Sequence, residues 1–356
     1  MRELLRKNIA GLVPYSCARN DFKGTASVFL DANENWQDFV KQPGRNRYPD
    51  PLSTRLRAEI EKRMGLKATH TVIGNGSDEV IDNLVRMFCV PGKDHVLLLP
   101  PTYGAYRVFC DINDVKVDVV PLTADFQLDM QAILAYLRSE KQNRKEGAGR
   151  LKLLFICSPN NPTANAFPLD QVEEIARNFD GITIVDEAYH DFSSVESAVS
   201  LQPRYPNLVV LRTLSKCWAL AGARIGILVA SEEICAVMAS MKYPYNVSSP
   251  AQDAALEDLA NWEKVMAGKE DILKQRPLFA ASLAKLSCVE KVYPSDANFL
   301  LVKVRDANKI YAYLMDKGII VRNRSKELHC ENCLRITVGN ATENQAVIDA
   351  LKEWKE

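Results

Sequence analysis

Asn207-Leu-Val-Val-Leu-Arg-Thr-Leu-Ser-Lys216 is the stretch on which the fold of this chain turns. The run to Leu214 is mostly apolar and reads as a buried strand. It closes on Ser215 and Lys216. A lysine just past a buried strand is poorly hydrated. Burial disfavours the ammonium form, lowers the pKa and makes the neutral amine a usable nucleophile. Such an amine suits a Schiff base with an aldehyde. Cys217-Trp-Ala-Leu-Ala-Gly-Ala-Arg224 follows, and Arg224 could hold an anion in a bidentate fork. A surface turn with two ordinary cations would read the same way, so the flanking sequence has to decide.

Two earlier segments repeat the pattern of strand and polar end. Residues 151–157 run into Ser158-Pro-Asn-Asn-Pro-Thr163, and residues 181–185 run into Asp186-Glu-Ala-Tyr189. Further strands are expected at 71–73, 95–99, 115–120 and 225–230. Helices are expected from about 79 to 88, from 103, at 129–139 and at 169–178. Strands and helices in alternation argue for an α/β domain with a mostly parallel central sheet flanked by helices. Ligands of such sheets bind beyond the carboxyl ends of the strands, where all three polar motifs fall. Gly74-Asn-Gly-Ser-Asp-Glu79 adds a glycine turn opening a helix, with Ser77 or Asp78 as cap and free N–H groups suited to a phosphate.

Farther out, residues 1–29 read as an arm that packs with the small domain, and 28–30 as a short apolar strand running into Asn33-Glu34. Ser53 is expected to cap a helix over 53–64. The texture changes near Tyr243-Pro-Tyr245. Residues 249–286 are largely helical, and short strands at 289–292, 299–304, 319–321 and 334–338 alternate with helices at 307–317 and 342–353. The expected organisation is therefore an arm (1–29), a large domain (30–245) and a smaller α+β domain (246–356).

Composition narrows the function classes. In 356 residues, 45 Lys and Arg balance 45 Asp and Glu, and charged residues make up 25%. This gives no basic surface for nucleic acid. No apolar run approaches the ~20 residues of a membrane span, and the charged start does not resemble a secretion signal. The odd count of 9 cysteines gives no disulfide framework and suggests a reducing cytoplasm. Cys330-Glu-Asn-Cys333 stands alone and reads as two loop thiols. The four histidines form no metal-spaced group, and His190 reads as a local hydrogen-bonding residue. No metal site is expected.

The strand-end residues meet the needs of an aldehyde cofactor with a phosphate, a phenolic oxygen and a pyridine nitrogen. Lys216 would form the imine, and Asp186 would keep the pyridine nitrogen protonated. Asn161 and Tyr189 would donate to the phenolate. Ser77, Asp78, Ser215 and Arg224 would hold the phosphate, and Tyr103 would cover the ring.

Taken together, Leu30-Asp-Ala-Asn-Glu-Asn35, Asn46-Arg-Tyr-Pro49, Gly74–Glu79, Pro101-Thr-Tyr-Gly104, Ser158–Thr163, Asp186–Tyr189, Thr213–Lys216 with Arg224, Val321-Arg-Asn323 and Cys333-Leu-Arg-Ile-Thr-Val-Gly339 resemble the class-II-like, fold-type I pyridoxal-phosphate aminotransferases, and among them the histidinol-phosphate aminotransferases. The motifs span nearly the whole chain in that family's order. The resemblance implies pyridoxal 5'-phosphate and an exchange between L-histidinol phosphate and 2-oxoglutarate. It also implies a homodimer in which Tyr48 reaches the cofactor phosphate of the partner subunit. Arg335 would bind substrate anions, Arg322 the substrate phosphate, and Tyr15 and Asn33 would lie near the substrate. Aromatic or broad-range aminotransferases and threonine-phosphate decarboxylases share the site. A regulatory, cofactor-binding protein would need a basic DNA-binding extension. The chain departs from the family at Ala164, usually glycine, at Cys217-Trp218 and at Trp36, usually proline. These departures bear on substrate fit more than on reaction type.

Overall fold

The computed structural model describes residues 2–13, 27–40 and 44–355. A seven-stranded sheet is built from β1 (Thr71–Asn75), β2 (His95–Leu98), β3 (Lys116–Val119), β4 (Leu151–Cys157), β5 (Ile182–Asp186), β6 (Leu208–Thr213) and β7 (Ile225–Val229), in the order β1-β7-β6-β5-β4-β2-β3. β7 is antiparallel to both β1 and β6, and the other pairs are parallel. The central strands are buried on both faces, which is why they read as continuous apolar runs. Along β4, Leu154 and Ile156 enter one core while Leu153, Phe155 and Cys157 enter the other.

A second sheet, β10-β11-β9-β8, comprises β8 (Val289–Val292), β9 (Phe299–Val304), β10 (Arg322–Asn323) and β11 (Cys333–Thr337), all antiparallel. Leu300, Val302, Leu334 and Ile336 share a core with Ile310 and Leu314 of the helix Ala307–Asp316 and with Val347 and Leu351 of the helix Ala341–Glu353. Phe299 and Leu301, on the opposite face, join the core that contains Tyr189, Leu214 and Trp218.

Several sequence expectations need correction. Residues 27–40 form no strand, and Val28 and Leu30 are exposed; a run of three apolar residues is at the lower limit of strand length. The described start of the arm packs with the large sheet and not with the small one. Leu4 and Leu5 join a core on the large sheet, and Arg6 N–H donates to Met87 O at 3.1 Å. Ser53 precedes the helix Thr54–Met64 in a left-handed conformation without a side-chain cap, and Asp50 Oδ2 accepts the Thr54 N–H instead. The helix after β1 begins at Gly76, and neither Ser77 nor Asp78 caps it.

Candidate active site

Parallel strands deliver the expected residues to one edge. One cavity is lined by Ser77 and Asp78 beyond β1, Tyr103 beyond β2, Cys157 and Asn161 at and beyond β4, Asp186, Ala188 and Tyr189 at and beyond β5, and Thr213, Ser215 and Lys216 at and beyond β6. Arg224 joins them from the opposite direction. Because β7 is reversed, the residue entering it lies at the edge where its neighbours end. A cavity lined by His95, Asp118, Glu140 and Arg144 lies at the other end of the sheet. Its Asp118 and Glu140 carboxylates meet His95 and Lys116, and Asp180, also in the lining, meets Lys141 and Arg144.

Asp186 lies at the floor and is 3% exposed. Its Oδ2 accepts from Tyr106 Oη at 2.7 Å, and its Oδ1 from Ala188 N–H at 3.1 Å. Burial raises its pKa above the ordinary carboxylate value, against the Tyr106 and Ala188 hydrogen bonds and the nearby Lys216. Each carboxylate oxygen keeps a lone-pair direction for another donor. A buried carboxylate with spare acceptor capacity fits the protonated pyridine nitrogen of pyridoxal phosphate, which would favour the ionised form.

Lys216 is more open than its sequence context implies, because it stands in the cavity and not behind it. Packed protein still desolvates its amine and lowers its pKa, Arg335 adds to that effect, and Asp186 opposes it. Its Nζ lies 5.4 Å from the centre of the Tyr189 ring. Burial raises the pKa of Tyr189 and pushes that of Tyr103 up to about 12, with Asp78 next in effect on Tyr103. Both phenols are therefore protonated donors at neutral pH.

The anion end is organised by close backbone approach. Gly76 has φ +76°, and a Cβ there would fall 2.4 Å from Arg224 Nη2. A Cβ on Gly226 would fall 2.3 Å from the Gly76 carbonyl carbon. Only glycine permits this contact between the start of the helix Gly76–Phe88 and the Arg224 turn. Arg224 Nη2 meets Asp78 Oδ2 at 3.1 Å, and Tyr103 Oη donates to Asp78 Oδ1 at 3.2 Å. The Asp78 carboxylate thus orients the arginine and the ring. A helix N-terminus, Ser77, Ser215 and a guanidinium form a donor set suited to a phosphate.

The small sheet closes the opposite side. Arg335 Nη1 donates to Asn161 Oδ1 at 2.6 Å, and Tyr189 packs edge-on against Phe299 with ring centres 5.1 Å apart. Arg322 pairs with Arg335 in the β10–β11 register but is exposed. Asn33 and Tyr48 line a separate cavity with Glu34, Arg47 and Tyr245. There Arg47 Nη1 meets Glu34 Oε2 at 2.8 Å, and Tyr48 stacks on Tyr245 at 4.3 Å. Within one chain, therefore, Asn33 is not brought to the Lys216 cavity. Tyr15 lies outside the described residues.

The sequence reads His190 as a local hydrogen-bonding residue, but its Nδ1 lies 3.9 Å from Glu187, beyond hydrogen-bond reach. Burial, aided by Arg212, pushes its imidazole pKa down to about 3. Sequence reasoning missed Tyr106. It reads as a core aromatic one helical turn after Tyr103, and its partner Asp186 is 80 positions away.

A lysine and a buried aspartate at the carboxyl edge of a mixed sheet, closed by a small antiparallel sheet, define a fold-type I pyridoxal-phosphate-type enzyme. Comparison with known proteins is more specific: the chain matches the model for aminotransferase class I and II over residues 17–351 and belongs to that family. It is 46% identical over 351 residues to a histidinol-phosphate aminotransferase of Cytophaga hutchinsonii, covering 99% of this chain and 98% of that one. It is 44% identical over 356 residues to one from Bacteroides thetaiotaomicron, covering 100% and 99%. The crystal structure of the Sinorhizobium meliloti histidinol-phosphate aminotransferase in complex with pyridoxal 5'-phosphate shares the fold, with a TM-score of 0.77 at 23% identity, over 87% of this chain and 83% of that one.

Proposed function

We propose that this chain is a pyridoxal 5'-phosphate-dependent aminotransferase of histidine biosynthesis. It transfers the amino group of L-histidinol phosphate to 2-oxoglutarate, giving imidazole-acetol phosphate and L-glutamate. The observation that carries this reading is the placement of Lys216 and Asp186 in one cavity, with Arg335 joined to its wall through Asn161. The full-length similarity to histidinol-phosphate aminotransferases supports the choice of substrate.

The cofactor supplies an electron-withdrawing ring that accommodates the electrons of a broken Cα–H bond. Lys216 Nζ holds the cofactor between turnovers. When free of the cofactor, this amine would take the Cα proton, and burial, which lowers its pKa, favours the neutral form that a base requires. Asp186 holds the ring nitrogen, fixed in turn by Tyr106 and the Ala188 N–H. Asn161, whose Oδ1 is engaged by Arg335, offers Nδ2 to the phenolate oxygen, and Tyr189 offers its hydroxyl. Tyr103 covers the ring. Ser77, Ser215 and Arg224 take the phosphate, with Asp78 orienting Arg224. Arg335 binds substrate anions, and Arg322 and Tyr15 complete the substrate side; Asn33 lies in the separate Tyr48 cavity of its own chain and would reach the substrate side only of the partner subunit.

The working unit in this reading is a homodimer. Val28, Leu30, Trp36 and Phe39 are exposed near the Tyr48 loop, an apolar surface of the kind a second copy covers. Tyr48 then serves the phosphate of the partner subunit. We place the enzyme in the cytoplasm: the eight described cysteines are free and buried, and no described helix is long and apolar enough to cross a membrane.

A half-reaction screen tests the assignment. The pyridoxal form is mixed separately with histidinol phosphate, phenylalanine, glutamate and threonine phosphate, and the loss of its absorbance is followed. Fast responses to histidinol phosphate and glutamate are expected. A fast response to phenylalanine with none to histidinol phosphate would indicate an aromatic aminotransferase, and decarboxylation of threonine phosphate would indicate the decarboxylase.

A further inference from the structure

Lys242 follows the helix Glu232–Met241 as a buried cation. Its Nζ donates to Pro51 O at 2.7 Å and to Asn246 Oδ1 at 2.8 Å, with Tyr243 O and Pro244 O farther off at 3.3 and 3.4 Å. These acceptors are carbonyl oxygens, which carry no full charge. An ammonium buried among neutral partners is costly unless an anion lies near. Burial lowers the Lys242 pKa, and Glu79 opposes this most. Glu79 reaches the lysine through Asn246, whose Nδ2 donates to Glu79 Oε2 at 2.8 Å and to Ile73 O at 3.1 Å. The cation on one side and the carboxylate on the other fix which way the amide points. Lys242 and Glu79 are thus an ion pair with one amide between them.

Each end of this chain of bonds holds a loop. At one end, Glu79 Oε2 also accepts the Asn75 N–H, which enters the phosphate turn, and the next N–H, of Gly76, donates to Arg224 O at 2.6 Å. At the other end, Pro51 closes the loop that carries Tyr48. Tyr245, next to Asn246, adds a second tie to that loop, its ring stacked on Tyr48 with centres 4.3 Å apart.

We infer that Lys242, acting through Asn246 and Pro51, is a positioning residue for the cofactor phosphate at two sites. One is the cup of its own chain, reached through Glu79 and the Asn75–Gly76 turn. The other is the cup of the partner subunit, reached through the loop that delivers Tyr48. Lys242 touches neither phosphate. One buried charge sets the cup and the tyrosine in a common frame, so in a two-fold dimer each cofactor is held by groups that two lysines position. The Tyr48 half of this inference rests on the homodimer reading.

Mixed dimers separate the two halves. Full-length chains with different tags are produced together, and the mixed species is isolated. Lys216→Ala on one chain removes the imine-forming amine there, so the absorbance that Lys216 gives the bound cofactor reports the other site alone as pyridoxal phosphate is titrated. With Lys242→Met on the chain that keeps Lys216, the reporting site has an altered cup and a normal Tyr48 loop. With Lys242→Met on the Lys216→Ala chain, it has a normal cup and receives Tyr48 from an altered loop. Half-occupancy should need at least about five times more cofactor in both arrangements than in the dimer with Lys216→Ala alone, a coupling of ordinary size. Asn246→Asp keeps an acceptor for Lys242 but sets an oxygen against Glu79, so it should weaken the first arrangement alone; it also provides the readout if Lys242→Met does not fold, and unchanged binding there would overturn the cup half. A purely structural lysine would lower the thermal midpoint and leave both half-occupancies unchanged, which overturns the inference, as does a loss in only one arrangement with Lys242→Met. Failure to form any mixed species would overturn the homodimer reading and the Tyr48 half with it; the cup half then stands or falls on the cofactor titration of Lys242→Met by itself.

Discussion

The two walls of the cavity solve different problems. On the large-sheet wall strand ends place residues of distinct chemistry: Asp186 is the last residue of β5, and Lys216 lies three beyond β6. On the small-sheet wall, Arg322, Arg324 and Arg335 are chemically alike and differ only in burial and partners. In the reading proposed above, reaction type belongs to the first wall and substrate choice to the second. Substitutions on the first wall should stop the reaction whatever the substrate, and those on the second should sort substrates.

Lys216→Ala is the strongest form of that contrast. Turnover should fall by a factor on the order of 10⁴ or more with every donor, because the holding amine and the base are lost together. The thermal midpoint should stay near wild type, because the side chain is open to the cavity. A variant that still turned over one donor well would detach the chemistry from this wall. Asp186→Asn comes next, with kcat lower by a factor on the order of 10² to 10³. Its effect on the cofactor-free protein has the opposite sign. The folded state raises this carboxyl's pKa, chiefly through burial. Its favourable contribution is therefore complete only below the unfolded pKa and is lost as pH rises through the folded value. That contribution is smaller at pH 7 than in acid, so urea unfolding of cofactor-free Asp186→Asn should show no loss at pH 7, and part of the wild-type gain on acidification should be absent. A clear destabilisation at pH 7 would mean that the Tyr106 and Ala188 hydrogen bonds outweigh burial.

Much of the first wall was legible because apolar runs ended on residues of distinct chemistry, and parallel pairing carries such ends to one edge. The reversed β7 was not legible, since an apolar strand reads the same in either direction. Nor was the role of the Asp78 side chain: its position in a glycine turn suggested a cap, but Arg224, 146 positions away, captures the carboxylate. Val28-Phe-Leu30 shows the converse failure. Its apolarity reads as strand, whereas in the single chain those residues are exposed, and the surface that would cover them belongs to another copy in the reading proposed above. On the second wall, Arg322 and Arg324 fell outside the strand expected at 319–321, and only the register with Arg335 and Cys333 sets both on one face of the small sheet.

Arg335→Gln tests the bond that joins the walls, since Arg335 Nη1 to Asn161 Oδ1 at 2.6 Å is a charge-assisted contact between the two sheets. Its loss should raise KM for glutamate and 2-oxoglutarate about 10- to 100-fold, with a smaller fall in kcat. The absorbance of the bound cofactor should shift with pH differently from wild type, because Arg335 helps to lower the Lys216 pKa and Asn161 loses its anchor. An unchanged KM for the dicarboxylates would move their site to another arginine and leave Arg335 a structural role.

The smallest expected effect lies at the seam itself. Ala164 is buried with φ +70°, and the turn it occupies ties the walls together: its N–H donates to Asn160 O at 2.7 Å, and its carbonyl accepts from Asp296 N–H at 2.8 Å. Asp296 Oδ2 in turn accepts the Ala166 N–H at 2.9 Å. A left-handed backbone costs an L-residue roughly 1–2 kcal/mol, which glycine would avoid. Against that, glycine loses about 0.5–1 kcal/mol more chain entropy on folding, and the buried methyl forfeits about 0.8 kcal/mol of burial. These terms nearly cancel. Ala164→Gly should therefore change urea-unfolding stability by no more than about 1 kcal/mol in either direction, with Lys216 chemistry intact. Ala164→Val keeps the strain and adds a branched side chain in a filled core, so it should cost about 2 kcal/mol or more. If glycine instead destabilised by more than about 2 kcal/mol, the Ala164 methyl would be packing that holds the seam, and the two walls would be joined more by core contact than by the Asp296 and Arg335 hydrogen bonds.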